Sequence, residues 1–348
     1  MNSNRSNDLT NALLNHTVSA SGTGNTILSP ISIRTLLSLL ADSTSGDTRE
    51  QIIRLLGRAN AQTGFTTKGS LISANAVCVN RAIRGSINPD YKTRLSDYDA
   101  ELFVSENIVA DVNDWVADKT KNMITNIADD TVTEMQACFL NAVAFDGEWE
   151  TEYEEYDIRP DIFHNADHTM ADVQMMSSVE QLYVETDFIT GFVKPYKDNE
   201  FSFLALLPRK RGTRFMELIL EKTDMTELFN SVSHAEVRAE IPEFCCDYMM
   251  ELRHVLSELG ITSLFADEAD FSPMTLENIK VDSIKHKIHI EVDRKGTKAA
   301  AVTESIAVPG CAPEHGEVKT VKIDRPFIFA VMHNDTGTPA FVGVVNDL

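Results

Sequence analysis

The sequence is poor in cysteine and in positive charge. Its 348 residues include only 5 cysteines, and none lies in a C-x-x-C pair, which argues against both a disulfide framework and a zinc-ribbon site. Lys and Arg total 31 against 53 Asp and Glu, a formal net charge of −22. A surface this acidic repels nucleic acid and anionic membranes, so neither is expected as a partner.

Long apolar runs and a leader are also missing. No stretch reaches the roughly 18 apolar residues that a membrane span requires. The segment from Met1 to Asp8 lacks the basic and apolar regions of a signal peptide. Together with free thiols, this predicts a cytoplasmic protein or one exported without a classical signal, and secretion stays open if a leader has been removed.

Catalytic motifs are absent too. No G-x-S-x-G, H-E-x-x-H, P-loop or G-x-G-x-x-G occurs, so no enzyme activity, metal or cofactor is expected. His164 and His168 are four apart, but the polar residues between them favour a loop over a metal-binding helix. Cys245 and Cys246 precede Asp247, and we interpret them as adjacent strand thiols, one buried and one outward, rather than as a nucleophile.

What the sequence does contain is an uninterrupted mixture of helix and strand patterns. Hydrophobic residues make up 43% and charged residues 24%, enough for a large core. Helical periodicity occurs at 31–41, 47–56, 112–127 and 251–259. Strand patterns occur at 74–80, 138–145, 201–207, 287–292, 326–332 and 340–345. We predict a single mixed α+β domain spanning residues 1–348.

One segment, residues 296–307, has an unusual distribution of side-chain size. With the strand period of two, one face carries only small residues: Thr297, Ala299, Ala301, Thr303, Ser305 and Ala307. The other face is larger: Lys298, Ala300, Val302, Glu304 and Ile306. With no proline before Pro309, such a segment can enter a sheet as a strand. The segment alone is equally compatible with an alanine-rich helix start or a polar loop.

Five motifs, in order along the chain, decide between these alternatives. They are NTILSPISI (25–33), LN followed by FDGEW (140–149), LGI followed by ADFS (259–272), IKHKIHIEV (284–292) before Gly296, and DRPFIF followed by TPAFVG (324–343). From about residue 10 to the C-terminus, the chain resembles the serpin family.

The resemblance implies three β-sheets, eight to nine helices and an exposed reactive-centre loop at about 296–320. It implies a metastable monomer whose loop is cleaved, forms a covalent complex with the target protease and inserts as a strand. The implied hinge is Gly296, Thr297, Lys298, Ala299, Ala300, Ala301, Val302 and Thr303. The implied shutter and breach residues, which guard the sheet opening, are Ser29, Ser32, Asn141, Trp149 and His286.

The same resemblance places the cleaved bond at Gly310–Cys311, with Cys311–Ala312 as the alternative. Neither bond offers Arg or Lys, which disfavours a trypsin-like target and favours an elastase-like serine protease or a cysteine protease. A non-inhibitory serpin acting as a carrier, chaperone or storage protein is the alternative function. The intact small-residue hinge favours the inhibitor.

Two features depart from the family pattern. Arg294 stands where a glutamate is common, which puts the usual salt link at the top of the loop in doubt. Residues 57–73 are too few for the helix that carries the glycosaminoglycan site in activated serpins. With only Arg58 and Lys68 as basic residues there, heparin activation is not expected.

Overall fold

The computed structural model describes residues 9–14, 16–18, 22–57, 69–297 and 318–348. These residues form two compact units. The first draws on the ranges 1–16, 28–144 and 247–289, and the second on 17–27, 145–246 and 290–348. Within the described residues, no helix has the length and apolar character needed to cross a bilayer.

Helices and strands alternate along the whole chain. The α-helices are α1 (Pro30–Ser43), α2 (Gly46–Leu56), α3 (Pro89–Leu95), α4 (Ile108–Lys119), α5 (Thr213–Lys222), α6 (Met225–Asn230) and α7 (Arg253–Glu258). Residues 9–14 and 16–18 are also helical. Short 3-10 turns cover Arg81–Ser86, Ser96–Tyr98, Asp130–Thr133, Glu155–Asp157 and Ser263–Phe265.

The strands, again in chain order, are β1 (Thr26–Leu28), β2 (Leu71–Val79), β3 (Ala100–Phe103), β4 (Ala137–Phe145), β5 (Gly147–Glu148), β6 (Ile158–His164), β7 (Met170–Glu185), β8 (Ile189–Pro195), β9 (Phe201–Pro208), β10 (Ser233–Pro242), β11 (Phe244–Glu251), β12 (Val281–Val292), β13 (Gly296–Thr297), β14 (Lys319–Lys322), β15 (Phe327–His333) and β16 (Thr338–Val345).

In the first unit, a sheet runs in the order β3-β2-β4-β12. β4 and β12 are parallel, from the pairing of Cys138 with Ser283 to that of Ala144 with His289. All 9 residues of β4 are buried, as the apolar run at 138–145 predicted for a strand covered on both faces. Helix α4 packs into the same apolar cluster as β4.

The second unit contains a nine-stranded sheet in the order β1-β16-β15-β9-β8-β7-β10-β14, with β6 also paired to β7. The 16-residue strand β7 joins two smaller sheets. Its C-terminal end pairs with β8, while the rest pairs with β6 and β10. The third sheet implied by the resemblance is therefore continuous with the second through β7. The predicted closing pair, β15 and β16, is antiparallel.

The helix predicted at 112–127 ends early, at Lys119. Lys121 and Asn122 adopt positive φ values of 51 and 62, which a continuing helix does not allow. The Thr120 hydroxyl accepts the N–H of Ile124 at 3.0 Å and so closes the turn. The apolar side chains on both sides of Lys119 nevertheless lie in one buried cluster. The prediction of their burial is therefore confirmed, and the prediction of a helix after Lys119 is wrong.

The histidine pair and the cysteine pair singled out in the sequence lie in ordinary strand and turn positions. His164 ends β6, and His168 lies in the following turn with a φ of 73. Cys245 is exposed and Cys246 buried on consecutive positions of β11. These positions match the loop and the alternating strand predicted for them.

Candidate functional site

The described beginning of the loop lies within a sheet. Gly296 and Thr297 form β13, which pairs antiparallel with Val292 of β12 on one side and with β5 on the other. The Thr297 side chain is fully buried. Of the predicted hinge, Lys298, Ala299, Ala300, Ala301, Val302 and Thr303 lie outside the described residues, as do both candidate bonds at Gly310, Cys311 and Ala312.

Gly296 is required by close approach. A Cβ at this position would stand 2.1 Å from the carbonyl oxygen of Gly147 and 2.9 Å from the Cα of Glu148. Contacts this short do not occur between real atoms, so any larger residue must shift the backbone. The first loop residue is therefore fitted against β5, in addition to any flexibility that glycine gives the hinge.

An aromatic pair holds the hinge threonine. The Tyr196 hydroxyl lies 2.6 Å from the Thr297 hydroxyl. Trp149 stacks on the Tyr196 ring with centroids 4.5 Å apart, and its indole N–H donates to the Asp293 carbonyl at 2.9 Å. Burial raises the pKa of Tyr196 well above its usual value, so the phenol stays protonated and able to donate. The predicted breach residue Trp149 is thus joined to Thr297 through Tyr196.

A buried ion pair lies beside this stack and was missed from the sequence. Lys194 and Glu180 are 3.0 Å apart, with side chains only 4% and 9% exposed. The Lys194 ammonium also lies 4.3 Å from the Tyr153 ring centroid and 5.5 Å from that of Trp149. A lysine inside the buried strand β8 is the signal that points to it, because buried lysines are almost always paired.

Arg294, the departure noted in the sequence, lies near an acidic partner. Burial and the nearby Asp293 raise the pKa of Glu243, and the charge and backbone N–H of Arg294 oppose that rise. The Arg294 carbonyl accepts the backbone N–H of Tyr153 at 2.9 Å. Arg294, two residues before Gly296, is therefore held by its main chain, and its charge acts on a glutamate.

The four predicted shutter residues meet in the first unit and are all buried. Ser32 donates to the Asn141 side-chain oxygen at 2.9 Å. His286 Nδ1 contacts the same oxygen, and its Nε2 accepts the backbone N–H of Ser29 at 3.4 Å. Because Nε2 accepts, Nδ1 carries the proton and donates to Asn141. The network links α1, β4 and β12 in one chain of hydrogen bonds.

Complete burial keeps His286 neutral. Desolvation lowers its pKa from 6.5 to about 3. A protonated ring would lose the acceptor that Ser29 uses and would place an unpaired charge in the core. The shutter is therefore built for the neutral imidazole.

Asn75 completes the network and was not predicted. Its side-chain oxygen accepts from the Asn141 amide nitrogen at 2.8 Å, and its own nitrogen donates to the Tyr98 carbonyl at 2.9 Å. The Asn141 amide also donates to the Ser32 hydroxyl at 2.7 Å, so the buried Asn75 of β2 gives it a second acceptor. The alternating pattern of 74–80 places it in a strand but does not reveal which strand it faces.

Comparisons with known proteins identify a family and a fold for this chain. The model of the family described as Serpin (serine protease inhibitor) matches residues 4–348. Plasminogen activator inhibitor 1 of Bos taurus is 28% identical, covering 94% of this chain and 88% of the relative. Serpin-Z10 of Arabidopsis thaliana is 30% identical, covering 98% and 96%. The native-state crystal structure of a thermophilic serpin, tengpin, matches with a TM-score of 0.86 and 31% identity, covering 100% of this chain and 95% of that one.

Proposed function

Because the chain belongs to the serpin family, whose model matches it from residue 4 to residue 348, we propose that it is a suicide-substrate inhibitor of proteases. The predicted mixed α+β serpin fold is confirmed by the structural match to tengpin. In the proposed reaction, a protease serine or cysteine attacks the loop and forms an acyl intermediate as the peptide bond breaks. The freed loop then inserts as a strand of the sheet, and the acyl-enzyme is trapped before water hydrolyses it.

The observation that carries the proposal is the position of Thr297. It is buried in β13, already paired with β12 and β5. The residues that follow keep a small face at every second position, which is what continued insertion requires. A loop that starts in the sheet and continues in this pattern can be inserted as a continuation of β13.

Insertion has a barrier, because β4 and β12 pair directly along their length. A new strand between them must first break that ladder, and the contact of Asn141 with His286 bridges the same two strands. We propose that the uncleaved form is held by this barrier rather than by equilibrium stability.

The proposed target follows from the candidate bonds. Gly310–Cys311 or Cys311–Ala312 presents a small residue to the protease, so an elastase-like serine protease or a cysteine protease is the proposed partner. The proposed complex is covalent and contains one inhibitor chain and one protease, without heparin as an activator.

The test is to incubate the purified chain with elastase-like, chymotrypsin-like and papain-like proteases and to analyse the products on denaturing gels. A band near the summed mass that survives SDS supports the inhibitor, and trypsin serves as the disfavoured comparison. Mass spectrometry of the released C-terminal peptide identifies the bond. Complete loop cleavage by every protease without a conjugate would instead support the carrier or storage function.

A further inference from the structure

Two histidines and a glutamate converge on the surface of the first unit. His16 is one of the helical residues 16–18, and His254 and Glu258 lie one turn apart on α7. One ligand atom from each residue, an imidazole nitrogen or a carboxylate oxygen, lies within 4.8 Å of the other two. None of the three residues belongs to the predicted hinge or shutter.

The distances suit one shared ion. His16 Nε2 lies 3.1 Å from one Glu258 oxygen, and His254 Nδ1 lies 3.6 Å from the other. The two imidazole rings have centroids 5.7 Å apart. Ligand bonds of about 2.0–2.1 Å in a tetrahedral site put neighbouring ligand atoms about 3.4 Å apart. One histidine–carboxylate separation is shorter than this value and the other longer, each to a different Glu258 oxygen. The ligand atoms, one from each residue, all lie within 4.8 Å of one another.

We propose that His16, His254 and Glu258 bind one divalent transition-metal ion of the zinc class. Imidazole nitrogens favour Zn²⁺ over Ca²⁺ and Mg²⁺, which require a shell of oxygen ligands. The three side chains are 30%, 75% and 55% exposed, so water has access to the fourth position. The inference is independent of the proposed inhibitory function.

The ion would act on stability, because the site exists only when the chain is folded. Residue 16 and α7 are separated by more than two hundred positions and have no reason to meet in the unfolded chain. A ligand that binds only the folded form stabilises it in proportion to its concentration above Kd. Bound Zn²⁺ would therefore fasten the N-terminal helical residues to α7 and oppose unfolding that begins there.

The alternative is that the cluster is only a pair of histidine–carboxylate contacts. The two interpretations differ in how the purified chain responds to Zn²⁺ alone. The exposed thiol of Cys245 and the thiol of Cys311 are competing zinc ligands, so every variant is made in a Cys245→Ser, Cys311→Ser background. His16→Ala and Glu258→Gln remove single ligands, and His234→Ala is the matched control at an exposed histidine elsewhere.

Protein stripped with EDTA and dialysed free of it is titrated with Zn²⁺ by calorimetry and melted with and without the metal. We expect one ion per chain and a higher melting temperature in the parent and in His234→Ala. Affinity should fall roughly tenfold or more in both His16→Ala and Glu258→Gln, since even the loss of an outer-shell partner costs that much. Retained affinity in either ligand variant, or no binding by the parent at millimolar Zn²⁺, would overturn the proposal. Because Glu258 and His234 are exposed, the metal-free melts of Glu258→Gln and His234→Ala should agree with that of the parent.

Discussion

Thr297, the last residue of β13, is fully buried, and its hydroxyl contacts that of Tyr196. Replacing it with arginine would put an unpaired charge into that space, which costs several kcal/mol. We predict that Thr297→Arg is cleaved by the target protease without forming a conjugate. Thr297→Val keeps the size and loses only the hydroxyl, so it should still inhibit. Conjugate formation by Thr297→Arg at the parental yield would show that this side chain does not enter the sheet.

Gly296 provides a second prediction at the scale of one residue. The added methyl of Gly296→Ala would meet the Gly147 carbonyl at 2.1 Å, and relieving such overpacking typically costs about 1–3 kcal/mol. We expect a lower melting temperature by calorimetry. Gly85→Ala is the control, because its Cβ meets nothing within 4 Å. Equal melting of the two variants would mean that Gly296 is not held against β5.

His286 predicts how acid affects stability. Its pKa is about 3 in the folded chain and 6.5 without burial, so below pH 6.5 the unfolded form binds more protons. Its contribution to stability is complete above pH 6.5 and is lost on acidification towards pH 3, at about 1.4 kcal/mol per pH unit. The destabilisation caused by His286→Gln should therefore be largest at neutral pH and shrink between pH 6.5 and 4. A difference in melting temperature between the parent and His286→Gln that stays constant from pH 6.5 to 4 would contradict a neutral buried histidine.

Among the elements, β4 and β12 are the two strands that the proposed insertion must separate. Ala142 of β4 faces Lys287 of β12 in the register of the ladder. A disulfide between cysteines at these two positions would prevent the strands from separating. We predict that the oxidised double variant is cleaved without trapping the protease and that reduction restores the conjugate, as judged on denaturing gels. The Ala142→Cys single variant, oxidised in parallel, should inhibit throughout. Full inhibition by the cross-linked form would mean that the loop inserts elsewhere.

The elements also show how far the sequence determines the fold. Runs such as 138–145 and 340–345 predict buried strands correctly, because burial on both faces leaves a continuous apolar pattern. The segment after Lys119 was predicted to be helical and is not. Residues in a tight turn and a loop can contribute to the same apolar cluster as a helix. The hydrophobic pattern of the sequence therefore predicts which residues are buried more reliably than it predicts their secondary structure.

At the scale of the molecule, the features that escape the sequence are contacts between distant residues. The partners of His286 were identified only through the family resemblance, while Asn75, Tyr196 and the ion pair of Lys194 with Glu180 appear only in three dimensions. The expectation that no metal is bound was based on local patterns, namely C-x-x-C, H-E-x-x-H and the spacing of His164 and His168. His254 and Glu258 are four apart in the sequence, but the approach of His16 to them is visible only in three dimensions.

The proposed mechanism requires free energy stored in the uncleaved molecule. A chain held behind the β4–β12 barrier should become more stable once its loop is free to insert as a strand. The most direct measurement is calorimetric melting of the chain before and after a single cut in the loop, with the cut confirmed by mass spectrometry. We predict that the cleaved protein, with both fragments still associated, melts at a much higher temperature than the intact one. An unchanged or lower melting temperature after cleavage would contradict insertion and, with it, the proposed mechanism of inhibition.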